Sequence, residues 1–199
     1  MKCKILPAVA IIAIAATLAL APLAGAEGGS VSGTITAKGL RTSGDIVVSL
    51  QAPGLAVTPP AKPPEMDQKG MLFIPHVLPV VKGTTVKFLN SDPYAHNVFS
   101  PEGKYNLGTW PTGQTRDHTF DKPGVYTQLC RVHPEMEAFI VVLDTPYFAV
   151  TDKAGQFTIK GVPPGKYTLV AWSEKLKKGE QAVTVESGKS ATVSLTLSK

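Results

Sequence analysis

From residue 27 onward, apolar and polar residues alternate with a period of two, the signature of strands with one buried face. Two strands are expected first, over Val31–Ala37 and Ile46–Leu50. Gly54–Glu65 is rich in proline and poor in apolar anchors, so it reads as a loop or linker. A second series follows. Met71–Val81 is apolar but broken by Pro75 and Pro79, Thr84–Asn90 puts Val86 and Phe88 on one face, and His96–Ser100 is short. Gln114–Phe120 runs into the turn Asp121-Lys-Pro-Gly124, whose proline and glycine set the backbone angles. Val125–Cys130 and Ala138–Leu143 close this series. A third block places strands at Phe148–Thr151, Gln156–Lys160, Tyr167–Trp172, Gln181–Val185 and Thr192–Leu197, with turns at Asp152–Gly155 and Val162–Gly165. No segment after residue 26 has the 3.6-residue period of a helix. Short strands and frequent turns predict an all-β chain built as two β-sandwiches.

Residues 1–26 read differently. Lys2 and Lys4 precede an apolar run over Ile5–Leu20, and Ala24-Gly25-Ala26 is a small-x-small cleavage motif, so these residues are expected to be an export signal. The run is long enough for an uncleaved membrane anchor; its alanine-rich core, Pro7, Pro22 and the Ala-x-Ala ending favour cleavage before Glu27. The expected location is the periplasm, with membrane contact only through an uncleaved signal if at all. The formal charge of +5 falls to +3 once Lys2 and Lys4 are removed, and no basic run is present, so nucleic acid is not an expected partner.

Of the two cysteines, Cys3 lies ahead of the apolar run, which leaves Cys130 alone in the exported chain. Exported proteins usually pair their cysteines. A solitary one is an intermolecular disulfide, an inert buried thiol or a metal ligand. Its neighbours decide: Cys130-Arg-Val-His133-Pro-Glu-Met136 sets a thiol, an imidazole and a thioether on one loop between two predicted strands. Such a loop must curl tightly to present all three to one ion, and Pro134 restricts it. His96, heading its own short strand, is the candidate fourth ligand. Two imidazoles, a thiolate and a weak thioether suit copper; structural zinc favours more cysteines, and hard cations need oxygen donors. Glu135 competes with Met136 for the fourth position, and His76 is a possible alternative ligand, though a structural role fits it better. His118 shares strand parity with Phe120 and is expected to be half buried.

Two family resemblances rest on quoted residues. Gly83-Thr-Thr-Val-Lys-Phe-Leu-Asn90, His96-Asn-Val-Phe, Asp121-Lys-Pro-Gly-Val-Tyr126 and the Cys-x-x-His-x-x-Met loop fall in cupredoxin order, so residues 66–144 resemble the amicyanin, plastocyanin and pseudoazurin group. That resemblance implies a Greek-key domain, one copper ion cycling between Cu(II) and Cu(I), and Asn97 as a residue tying the His96 strand to the cysteine loop. Asp152-x-x-Gly155-x-Phe157-x-Ile159-x-x-Val162-Pro-Pro-Gly165-x-Tyr167-x-Leu169 resembles the carboxypeptidase regulatory-like domain, a small transthyretin/Ig-like sandwich. That family's opening pieces match Val31–Thr36 and Val47–Leu50. The expected architecture is therefore nested: residues 27–56 and 145–199 form one sandwich, a linker spans 57–65, and the cupredoxin-like domain occupies 66–144.

No nucleophile motif, phosphate loop or paired carboxylates appear, so no enzyme activity is expected. The expected function is one-electron transfer with a periplasmic partner such as a cytochrome. The alternatives are a copper chaperone or store, and an adhesion or binding module with a structural metal.

Overall fold

The computed structural model describes residues 27–199; the expected export signal over 1–26 lies outside the described residues. Among those residues the regular structure is all strand. The chain begins with β1 (Gly29–Ala37) and β2 (Val47–Gln51). It continues through β3 (Glu65–Gln68), β4 (Phe73–Ile74), β5 (Val77–Val81), β6 (Thr84–Asn90), β7 (His96–Ser100), β8 (Tyr105–Trp110), β9 (Thr115–Phe120), β10 (Gly124–Leu129) and β11 (Glu137–Leu143). It ends with β12 (Phe148–Val150), β13 (Gln156–Val162), β14 (Gly165–Trp172), β15 (Gly179–Val185) and β16 (Ser190–Leu197).

Four sheets result, in the orders β13-β1-β16, β12-β2-β14-β15, β5-β11-β10-β7-β8 and β4-β3-β6-β9. The first two enclose a core that includes Val31, Ile35, Val48, Leu50, Phe157, Leu169 and Leu197. The other two enclose Met66, Val86, Phe88, Val98, Trp110, Phe120 and Ile140. β1 pairs antiparallel with β13 and parallel with β16, and β2 lies between β12 and β14. The chain thus leaves one sandwich after β2, builds the other, and returns at β12.

Inward and outward residues follow the two-residue period of a strand. In β6, Thr84, Val86, Phe88 and Asn90 are buried and the residues between them are half exposed. β11 departs from that rule for a physical reason. Ala138, Ile140 and Val142 face the core of the inserted sandwich, while Phe139, Val141 and Leu143 face the other sandwich. A strand covered on both faces has no use for polar alternation, which explains the unbroken run Ala-Phe-Ile-Val-Val-Leu. Val47, Val77, Val141 and Leu143 are buried together at this seam, flanked by Phe139, Phe148 and Trp172. The Phe139 and Trp172 rings are 5.6 Å apart.

Several elements differ from expectation. The segment read as one interrupted strand over Met71–Val81 divides at Pro75 and His76, and its halves, β4 and β5, join different sheets. β3 starts at the last residue of the expected linker and runs parallel to β6. Its sequence, Glu-Met-Asp-Gln, carries no strand pattern, but Met66 and Gln68 point inward and Gln68 Nε2 donates to the Leu89 carbonyl at 2.7 Å. β8, not expected as a strand, pairs with β7 and buries Trp110.

The seam makes a stability prediction. Trp172→Ala removes an aromatic that packs across both sandwiches. It should cost about 2–3 kcal/mol, less than the roughly 3–5 kcal/mol of a fully buried aromatic. It should also separate unfolding into two steps. Urea titrations followed by Trp110 fluorescence and by far-UV circular dichroism check this; coincident curves in the variant would refute it.

Candidate metal centre

Cys130 directly follows β10 and is 3% exposed, a free thiol. β10 pairs with β7 through Leu129 and Phe99, which lays Cys130 beside the start of β7. There the Asn97 backbone N–H donates to Cys130 Sγ at 3.4 Å. The Asn97 side chain makes three bonds: its Nδ2 donates to Asn106 Oδ1 at 2.8 Å and to the Gly108 carbonyl at 2.7 Å, and its Oδ1 accepts the Arg131 N–H at 3.4 Å. Asn97 thus joins β7, β8 and the cysteine loop.

The loop after Cys130 turns back at His133, whose carbonyl accepts the Met136 N–H at 3.0 Å. Pro134 occupies the second position of that four-residue turn, where its fixed φ is favoured. The turn separates its residues by environment. Pro134 and Glu135 are exposed, His133 is half buried, and Met136 is fully buried in the core cluster that contains Cys130.

His96 is fully buried at the first position of β7. Its Nε2 bonds Asp92 Oδ2 at 2.8 Å, and its Nδ1 lies 2.9 Å from His133 Nδ1. Asp92, 5% exposed, also accepts the Gly70 N–H at 2.6 Å and the Met71 N–H at 2.8 Å. Burial pushes the Asp92 carboxyl up, but the Met71 and Gly70 donors and the His96 ring outweigh it and hold the group below its ordinary range. A carboxylate on Nε2 fixes that nitrogen as the donor, so Nδ1 presents its lone pair to the site. The loop around Asp92 is organised by Asn90: its Oδ1 accepts the Asp92 N–H at 3.0 Å, and its Nδ2 donates to the Tyr94 and Trp110 carbonyls at 2.8 and 3.0 Å.

One donor atom each from His96, Cys130 and His133 lies within 4.8 Å of the other two. That is about the span bridged by one ion held at roughly 2.0–2.3 Å by nitrogen and sulfur donors. One soft sulfur and two imidazole nitrogens, brought together at a largely buried site, fit copper. Among the described residues this is the one such group of three, and His76 is not part of it. His76 Nε2 bonds Glu174 Oε2 at 2.5 Å and Nδ1 faces the Glu137 carbonyl at 3.2 Å. Both ring nitrogens lie against these partners. His118 stacks on Tyr105 with ring centres 3.9 Å apart, and burial lowers its pKa. Asp92 was missed in the sequence. A carboxylate four residues before the histidine, inside the turn-forming Asn90-Ser-Asp92-Pro, was the available signal.

Residues 63–143 match the sequence profile of copper binding proteins of the plastocyanin/azurin family, and residues 133–198 match that of the carboxypeptidase regulatory-like domain. The second match omits β1 and β2, which strand pairing joins to the same sandwich. No curated protein sequence matches the chain significantly. Similar solved structures include the copper-containing nitrite reductase NirK from Thermus scotoductus SA-01, at 28% identity over 47% of this chain, with a TM-score of 0.40. The chain spans only 25% of that protein. A purple cupredoxin from Nitrosopumilus maritimus shares 26% identity over 40% of this chain and 99% of its own, with a TM-score of 0.37. A reduced amicyanin variant shares 24% identity over 48% of this chain and 98% of its own, with a TM-score of 0.40.

Two substitutions test the supports. Asp92→Asn should fold normally yet bind copper about 10–100-fold more weakly, the usual cost of removing such a support; competition with a chelator of known affinity measures it. Asn97→Ala strands the Arg131 N–H and the Asn106 and Gly108 acceptors, and should cost about 2–3 kcal/mol in denaturant unfolding.

Proposed function

We propose that this chain, which joins a copper-binding domain of the plastocyanin/azurin family to a carboxypeptidase regulatory-like domain, is an exported one-electron carrier holding one copper ion in the bacterial periplasm. The observation that carries this reading is the convergence of His96, Cys130 and His133 within 4.8 Å on strand ends that are already hydrogen-bonded in place. Met136 is the proposed fourth donor, because the turn buries it in the same core cluster as Cys130 while Glu135 is exposed. Bound copper would supply the one-electron couple, with the sulfur donors suiting Cu(I) and the imidazoles suiting Cu(II). The protein's part is to hold its donors still. His96 and Cys130 are buried and their supports are hydrogen-bonded, so little rearranges when charge changes. Four protein donors leave no open position for a substrate, which favours a carrier over an enzyme.

His133, half exposed, is the proposed port for electrons. Its loop exposes Val132 (47%) and Pro134 between Arg131 and Glu135, and Tyr94 and Met71, exposed at 60% and 44%, lie on the loops that hold Asp92 and His96. Such a rim fits brief contact with a cytochrome or another periplasmic redox protein. Export rests on the apolar run and the Ala-x-Ala motif of residues 1–26.

Titration of the mature protein with Cu(II) should saturate at one equivalent and develop an intense visible thiolate-to-copper absorption that bleaches and returns on reduction and reoxidation. Cys130→Ser should lose that absorption. A wild-type protein that takes up no copper sinks the proposal; copper passed to an acceptor within minutes would mark a chaperone instead.

A further inference from the structure

One polar contact crosses between the sandwiches at the end of the metal loop. Glu174 lies in the β14–β15 loop of the regulatory-like sandwich, and its side chain is 17% exposed. That loop is anchored from below by Leu176, which is buried in the core of its own sandwich, and by the Lys177 N–H donating to the Ser198 carbonyl at 3.0 Å. Glu174 Oε1 pairs with Lys175 Nζ at 2.7 Å, and Oε2 meets His76 Nε2 at 2.5 Å. Burial pushes the Glu174 carboxyl up, but Lys175 and His76 together hold it below its ordinary range, so it is charged at neutral pH.

His76 carries the contact onward. It sits between β4 and β5, and its Nδ1 faces the carbonyl of Glu137 at 3.2 Å. Glu137 follows Met136 directly and opens β11. The His76 carbonyl also accepts the Phe139 N–H at 2.9 Å, and its ring meets Phe139 edge-on at 5.6 Å. Asn97 holds the entry of the metal loop; its exit is held on one side by the pairing of Glu137 with Leu129, and on the other by His76, backed by a carboxylate from the neighbouring sandwich. Nothing in the copper chemistry requires this second support, and its residues are 98 positions apart.

We propose that Glu174 and His76 are positioning residues for the metal centre, through which the regulatory-like sandwich sets where Met136 sits relative to the other donors. This inference rests on the copper reading above. A thioether is a weak, long ligand in a site of this type, and the potential and spectrum are tuned through it. Slackening the peptide next to Met136 changes that ligand first, leaving the three strong donors bound.

The experiment compares copper-loaded wild type with Glu174→Gln and His76→Gln. Glu174→Gln keeps size and removes the charge; His76→Gln keeps a polar group but cannot bridge two acceptors so far apart. Both variants should bind one copper with wild-type stoichiometry. Both should shift the midpoint potential in the same direction and change the relative intensities of the visible thiolate-to-copper bands, and the double variant should shift no further than the larger single one. In the metal-free proteins, amide exchange at Met136, Glu137 and Phe139 should rise by about tenfold, while Asn97 and Val98 stay protected. Folded variants with wild-type potential, spectrum and exchange overturn the inference alone. A wild-type protein without copper absorption overturns it together with the proposed function. If His76→Gln fails to fold, Glu174→Gln decides the matter by itself.

Discussion

The metal site depends first on bringing two distant pieces of chain to one point and holding them there without an ion. His96 and His133 are 37 positions apart. The bond that closes this distance is made by Asn97, through both its backbone and its side chain. Its amide group is engaged at both ends: both N–H donors go to β8 and the oxygen accepts from the cysteine loop. Each such bond adds only about 1 kcal/mol net, but leaving buried partners empty costs about 1–3 kcal/mol apiece. The arrangement is therefore close to all-or-none. The backbone of the same residue points its N–H at Cys130 sulfur. Pairing of β7 with β10 and placement of the Cys130 sulfur therefore go together.

Asp92 does for the ring of His96 what Asn97 does for the loop. An imidazole can rotate or exchange its tautomer; a buried carboxylate on Nε2 removes both freedoms. The carboxylate is tolerated in a nearly dry position because two backbone donors, from Gly70 and Met71, hold it as well. Those donors belong to the turn between β3 and β4. The short strand β3, with its unpromising sequence, therefore matters to the site. It fixes the turn that fixes the carboxylate that fixes the ligand.

This dependence explains which parts of the protein can be read in its sequence. Cys130, His133 and Met136 sit on one loop, and the tight spacing of three soft donors is a local signal. His96 is legible because a strand pattern starts at it. The nested architecture is legible because Val31–Thr36 and Val47–Leu50 have their natural partners only beyond residue 145. Asp92 is not, since its role comes from N–H groups more than twenty positions upstream. Nor is the division of Met71–Val81 between two sheets, because both halves are apolar and only tertiary packing separates them. β8 hides for another reason: Tyr-Asn-Leu-Gly-Thr-Trp is an edge strand, paired on one side only, and edge strands are released from strict alternation by the solvent beside them. His76 illustrates the limit of composition-based reading. A structural role fits it better than a ligand's, but the partner that holds it lies 98 positions away in sequence.

β11 connects these observations mechanically. Its first residue adjoins Met136, its even-numbered residues pack into the copper-binding sandwich, and Phe139, Val141 and Leu143 pack into the seam. The strand leaves no polar face on which water could lubricate sliding, and its parallel pairing with β5 runs the whole way from Val77 to Val81. A displacement of the regulatory-like sandwich therefore has to travel along β11 to the end of the metal loop or else open the seam. Opening the seam exposes several large apolar side chains at roughly 25 cal/mol for each Å², which makes transmission along the strand the cheaper response. For this reason the second sandwich is mechanically continuous, through β11, with the end of the metal loop.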